Sequence, residues 1–153
     1  MTASDGITIR AARFEEILDL RWTMLRAGLP RETALFDGDD EPTTYHIGAF
    51  DGDTVLACAT FMRRPFDQKP AWQLRGMAVS GERQRRGLGR AILESAERSL
   101  REEAYSNLLW CNARVPAAGF YERHGWRIVS EPFEVPTAGP HVKMLKEISG
   151  IVR

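Results

Sequence analysis

Cysteine is scarce: the 153-residue chain has only two, Cys58 and Cys111. They lie far apart, each inside an apolar stretch. No CxxC pair or Cys/His cluster accompanies them, so neither a zinc site nor a disulfide framework is indicated. Both are expected to be buried thiols in a reducing compartment. Net charge is missing as well, since 21 Lys and Arg face 21 Asp and Glu. That balance removes the bulk attraction of a basic protein for nucleic acid or an anionic membrane. Neither partner is expected, and any basic site must be a local cluster. No apolar run approaches the length of a membrane span. Residues 1–6 lack the basic start and apolar stretch of a secretory leader, so a cytoplasmic protein is expected. Internal repeats, low-complexity tracts and linkers are also absent. What is present is 43% hydrophobic and 27% charged residues, the composition of a globular chain whose length suits one domain, 1–153.

The hydrophobic pattern gives the order β-α-β-β-β-α-β-α-β-β. Residues 7–11 alternate as a short strand. Ile17, Leu20 and Met24 keep helical spacing over residues 14–27, and Gly28 and Pro30 end that helix. Residues 37–42 read as an acidic, solvated loop. Two β-rich runs, 45–50 and 54–62, flank Asp51-Gly52-Asp53 as a hairpin. Residues 72–79 form a further strand. The apolar face Leu88, Ala91, Ile92, Ala96, Leu100 and Ala104 predicts a helix over 87–104. Residues 108–115 resemble a strand buried on both sides. A short helix, 117–124, closes at Gly125. Strands at 126–135 and 141–146 finish the chain, joined by a turn at 136–140. The stretch from 72 to 115 should be a right-handed parallel crossover, with the other strands antiparallel. The fold class is therefore a mixed α+β sheet carrying packed helices.

One segment carries chemistry: Met77-Ala78-Val79-Ser80-Gly81-Glu82-Arg83-Gln84-Arg85-Arg86-Gly87-Leu88-Gly89-Arg90. A strand ends, a loop turns, and a long helix starts at two glycines. Unpaired N–H groups and a partial positive charge mark a helix N-terminus. Glycines let the backbone approach a bulky anion. Arg83, Arg85, Arg86 and Arg90 add guanidinium charge suited to phosphate oxygens. The segment reads as a phosphate or pyrophosphate site. It lacks the GK[ST] ending of a P-loop, and Ile92 stands where a dinucleotide fingerprint needs Gly or Ala.

Gln84-Arg85-Arg86-Gly87-Leu88-Gly89 resembles the Q/R-x-x-G-x-G/A loop of the GNAT superfamily of N-acetyltransferases. Met77-Ala78-Val79 matches the end of that family's cofactor strand. Residues 117–126, Ala-Ala-Gly-Phe-Tyr-Glu-Arg-His-Gly-Trp, are similar to its A-x-x-FY-x-x-x-GF segment. The resemblance implies a mostly antiparallel sheet of six to seven strands, helices on both faces and a splayed parallel pair at the cofactor site. It implies acetyl-CoA as cofactor and CoA as product. The pyrophosphate would rest on main-chain N–H groups of residues 85–90, that is Arg85, Arg86, Gly87, Leu88, Gly89 and Arg90. Gln84 belongs to the same loop. Main-chain groups of Met77, Ala78 and Val79 would pair with the pantetheine arm, and one N–H would polarise the thioester carbonyl. Tyr121 would protonate the departing thiolate. Family members often carry Asn seven residues before this Tyr. Here that position is Arg114, and Asn112, two residues earlier on the same face, is the candidate for contact with pantetheine or acceptor. The C-terminal stretch, Glu131 to Met144, is similar to an ElaA-like branch of these acetyltransferases.

A protonated amine must lose its proton before it attacks a thioester. Glu131 and His141 are the candidate bases, with Glu134 beside them, because the last two strands border the acceptor channel in the family. Each has an equally good reading as an exposed strand charge or a turn residue. The acceptor implied is a primary amine of a small molecule or amino-acid derivative. A protein or peptide acceptor, and a non-catalytic acyl-CoA-binding module, stay open, as does a homodimer. No metal is implied.

Overall fold

The computed structural model describes residues 6–84 and 86–148 and the backbone of residues 2 and 3. Arg85, placed above in the pyrophosphate loop, lies outside the described residues. The chain forms two compact units: Met1–Met62 with Arg75–Ser99, and Arg63–Leu74 with Leu100–Arg153.

The first unit holds β1 (Thr2–Ala3), β2 (Ile7–Ala11), α1 (Phe14–Leu25), β3 (Tyr45–Asp51), β4 (Thr54–Arg63) as far as Met62, and the second part of β5 (Trp72–Val79). The strands run in the order β1-β2-β3-β4-β5, and the first three pairings are antiparallel. The hairpin expected at residues 51–53 is present, with Asp51 paired to Thr54 and Gly52 at φ 60°. That φ is cheap only for glycine. α1 starts where the Glu16 carboxylate accepts from the Arg13 main-chain N–H at 2.8 Å, which satisfies one of the orphan donors of a first turn. Its inner face buries Ile17 and Leu20 against Cys58 of β4 and Ala78 of β5. α2 (Leu88–Glu102) contributes buried Leu88, Ile92, Leu93 and Ala96 to this unit. Of the apolar face expected over 87–104, Leu88, Ile92, Ala96 and Leu100 are buried and Ala91 is half-buried, whereas the helix ends at Glu102 and Ala104 beyond it is exposed at φ 56°.

In the acidic loop 37–42, Asp37, Asp40 and Glu41 are exposed as expected, but Asp39 departs from the expectation. Asp39 is buried and grips Arg21, which has no exposed surface. Arg21 Nη1 donates to Asp39 Oδ2 at 2.7 Å and to the Ala34 carbonyl at 2.8 Å. Nη2 donates to Asp39 Oδ1 at 3.0 Å and to Thr60 Oγ1 at 2.8 Å. Thr60 Oγ1 lies 2.8 Å from His46 Nδ1, and His46 Nε2 lies 2.9 Å from the Asp39 carbonyl. A carbonyl only accepts, so His46 carries its proton on Nε2, and its Nδ1 accepts a hydrogen bond from the Thr60 hydroxyl. Every polar step in this chain has a donor and an acceptor for a neutral imidazole. Removing one partner of such a buried ion pair costs about 3–5 kcal/mol.

Burial holds the His46 imidazole below its ordinary value of 6.5. The folded state therefore prefers neutral His46, whereas the unfolded chain takes up a proton as pH falls through 6.5. The stability this preference gives is intact above that pH and declines progressively below it. Thermal unfolding followed from pH 8 to pH 5 should show a falling midpoint below about 6.5, flattened in His46→Gln. The carboxylate Glu16, held at about 2 by Arg10 and by the Arg13 N–H, enters only at lower pH. A midpoint unchanged across that range in the unsubstituted protein would contradict the neutral assignment.

In the second unit β6 (Leu108–Arg114) runs parallel to the first residues of β5, from Trp72 opposite Leu109 to Leu74 opposite Cys111. On its other side it is antiparallel to β9 (Gly139–Glu147), from Leu108 opposite Glu147 to Arg114 opposite His141. This gives the expected mixed, mostly antiparallel pattern with one parallel pair. α3 (Ala118–Arg123) ends as expected at Gly125, φ 91°, and Lys146 Nζ donates to the His124 carbonyl at 2.7 Å. A cation on the last carbonyls complements the helix dipole.

The strand expected at 126–135 is two strands, β7 (Arg127–Ile128) and β8 (Phe133–Val135), both on β9. Between them Ser130 Oγ accepts the Lys143 main-chain N–H at 2.8 Å, and Pro132 has no N–H to offer. A side chain thus replaces a rung of the ladder and proline removes a donor. With this division and the short β1, nine strands are formed among the described residues where six to seven were expected.

Candidate active site

In the first unit, β5 leads into the glycine-arginine loop. A 3-10 turn, Gly81–Arg83, follows the strand, and Gln84 folds back so that its Nε2 donates to the Val79 carbonyl at 3.1 Å. This bond ties the loop to the strand end. Gly87 has φ 83° and its carbonyl accepts the first helical bond, from Ala91 N at 3.0 Å. Among the described residues, the N–H groups of Leu88, Gly89 and Arg90 precede the first helical donor, and such amides are available to an anion. Nothing lies within 4 Å of the position a Gly87 Cβ would take, so that residue opens on free space. Gly89 is buried in the first turn. Arg86 is exposed, while the Arg90 guanidinium pairs with Glu94 at 2.9 Å. The Arg90 side chain thus lies along its own helix face. Within β5, Ala78 points into the core, and Met77 and Val79 on either side are half-buried.

In the second unit, Tyr121 of α3 is 9% exposed, with Phe120 and Trp126 rings 5.2 and 5.4 Å away. Burial, and then the neighbouring Cys111, push its phenol well above the ordinary range. The hydroxyl keeps its proton at neutral pH. Asn112 is exposed, and its Oδ1 accepts from Lys143 Nζ at 3.1 Å. Lys143 is the residue opposite it on β9, and His141 stands opposite Arg114, so these four share one face of the sheet. The shared face of Asn112 and Arg114 is the one expected from strand alternation. His141 is 7% exposed, and its Nδ1 lies 2.9 Å from the Gly139 carbonyl. That carbonyl fixes the neutral ring's proton on Nδ1 and leaves Nε2 as the acceptor. Glu131 and Glu134 are exposed. Among the candidate bases only His141 is both buried and oriented by a hydrogen bond.

Burial raises both thiols, Cys58 and Cys111, to about 12, and both are free. Neither is a thiolate near neutrality, so neither suits an acyl-cysteine route. The buried residues Arg21, Asp39, His46 and Thr60 were not singled out in the sequence as a group. Their partners lie up to 39 residues apart, beyond the reach of any periodic signal.

The donor set fits a CoA ester. Amides at a helix start are donors of the kind a diphosphate needs, and main-chain groups of a strand are donors and acceptors of the kind an amide-bearing arm needs. An uncharacterised N-acetyltransferase of Bacillus subtilis, YitI, is 29% identical over 146 residues, which are 93% of this chain and 97% of that protein. Escherichia coli ElaA superposes with a TM-score of 0.79 at 17% identity, covering 92% of this chain and 99% of that one. An aminoglycoside 6'-N-acetyltransferase solved with coenzyme A gives 0.74 at 14% identity over 95% and 99% of the two chains. The family model described as the acetyltransferase (GNAT) family matches residues 13–126, most of the chain and the whole of the glycine-arginine loop. The chain belongs to the GNAT acetyltransferase family.

Proposed function

We propose that this acetyltransferase uses acetyl-CoA to acetylate a primary amine of a small molecule or amino-acid derivative by direct attack. The observation that carries the cofactor assignment is the start of α2, where Gly87 turns the chain and frees the N–H groups of Leu88, Gly89 and Arg90. The aligned peptide dipoles of a 15-residue helix add positive potential at that end. Bound acetyl-CoA supplies an activated acetyl group on sulfur. Met77, Ala78 and Val79 orient the arm through their main chain, and one N–H of this strand polarises the thioester carbonyl.

Tyr121 donates a hydrogen bond to the departing sulfur. Its raised pKa keeps the proton in place across the neutral range and also makes full transfer harder. Stabilisation of developing negative charge is therefore the larger part of its role. His141 is the residue favoured for accepting the amine proton, because Nδ1 is occupied by the Gly139 carbonyl and Nε2 is left as the acceptor. Glu131 is exposed and acts more weakly. Asn112, held by Lys143, faces the acceptor side of β6 in this reading.

The acceptor class is tested by following free CoA release from acetyl-CoA with panels of small amines, amino-acid derivatives and peptides. Release with small amines and none with peptides is expected. Release with peptides alone would replace the small-molecule reading. Tight acetyl-CoA binding with no release from any panel would favour a non-catalytic acyl-CoA-binding module.

A further inference from the structure

The buried Arg21 has one nitrogen left over. Four of its contacts satisfy Nη1 and Nη2, whereas Nε is buried without a partner. It faces Gly76. A Cβ added at Gly76 would lie 2.8 Å from Arg21 Nε and 3.0 Å from the Phe36 ring. Gly76 sits inside β5 at φ 64°, a left-handed residue in the middle of a strand. The preceding residue, Arg75, lays its guanidinium 4.3 Å from the centre of the Phe36 ring, and Arg21 lies 4.1 Å from the same ring. Phe36 is itself pinned, because its N–H donates to Asp39 Oδ2 at 2.7 Å. Arg21, Phe36 and Arg75 thus close around the left-handed residue of β5, with Asp39 holding Arg21 and Phe36. The next residues are Met77, Ala78 and Val79.

We infer that this clasp positions the thioester strand. Arg21, locked by Asp39 and Thr60, holds the left-handed bend at Gly76 and thereby sets the direction of the main-chain groups of Met77, Ala78 and Val79. Only glycine satisfies both demands at position 76, since an L side chain is strained at that φ and meets a guanidinium that cannot swing away. Arg21 has no exposed surface, so it is a positioning residue that acts through Gly76. Glycine takes this φ without penalty, so the bend is not strained; its place is set by the two guanidiniums on the Phe36 ring and the bidentate carboxylate beside it. The inference rests on residues 77–79 being the cofactor strand.

The test compares Gly76→Ala, Thr60→Val, Thr60→Ser and a core control, Ile92→Val, with folding checked by circular dichroism. Steady-state kinetics and calorimetry with acetyl-CoA supply the readout. Gly76→Ala should lower kcat/KM for acetyl-CoA by about tenfold or more while the KM of the acceptor stays put. Thr60→Val, which removes one of the four Arg21 contacts, should lower it by a smaller factor, and Thr60→Ser should restore it. Ile92→Val should lower the unfolding temperature without changing kcat/KM. Folded Gly76→Ala and Thr60→Val with unaltered acetyl-CoA kinetics would overturn the clasp. If Gly76→Ala does not fold, the Thr60 pair decides by the same criterion. A wild-type protein that does not bind acetyl-CoA at all would instead remove the cofactor reading beneath it.

Discussion

Tyr121→Phe is expected to lower kcat by about 10²-fold and to leave acetyl-CoA affinity nearly unchanged. The substitution removes one oxygen and keeps the ring, whose neighbours Phe120 and Trp126 lie 5.2 and 5.4 Å away. Packing therefore survives, and the loss isolates the hydroxyl. Because burial holds the phenol protonated well above neutrality, wild-type turnover should show no decline near pH 10 attributable to this group. Loss of an interaction made mainly as the sulfur takes on charge lowers kcat and kcat/KM together. Single-turnover measurement of CoA release checks this. Equal release rates for the two proteins across the pH range would remove Tyr121 from the reaction and leave it a packed aromatic.

Substitutions at the two glycines of the loop should weaken acetyl-CoA binding by at least about tenfold, or about 1.4 kcal/mol, for different reasons. Gly87 has φ 83° and open space around its missing Cβ. Valine there is opposed by backbone conformation, so the turn that exposes the helix amides shifts. Gly89 is buried in the first turn. Valine there intrudes where a diphosphate must come close to the main chain. Calorimetric titration with acetyl-CoA reads both. The two variants should also lose affinity for free CoA in the same proportion, since the acetyl group is remote from the diphosphate. Unchanged affinity in both would withdraw the loop from the binding site.

Much of this protein could be read from its letters because its informative signals are local. The apolar spacing of Leu88, Ile92, Ala96 and Leu100 defined α2, and all four are buried. The order of Gln84, Gly87 and Gly89 marked the loop, and Gly125 marked the end of α3. What escaped the sequence depends on distant partners. Asp39 belongs to a run of acidic residues that reads as solvated. It is buried because Arg21, 18 residues earlier, brings a fork of donors to it. Gly76 is unremarkable within residues 72–79 until its φ and the nearby Arg21 are known. The break between β7 and β8 depends on a single serine hydroxyl taking a ladder bond. Arg90 looked like a phosphate ligand by its position, and its i,i+4 partner Glu94 competes for the side chain. The acceptor leaves the faintest trace in the sequence, because a pocket is made of side chains from separate strands and helices.

The most direct measurement is of the amide signals at the start of α2, recorded by NMR with and without CoA. If the main chain of Leu88, Gly89 and Arg90 holds the diphosphate, their amide resonances should shift strongly and their hydrogen exchange should slow on addition of CoA. Saturating CoA that leaves those three amides unmoved, while other parts of the chain respond, would contradict the account.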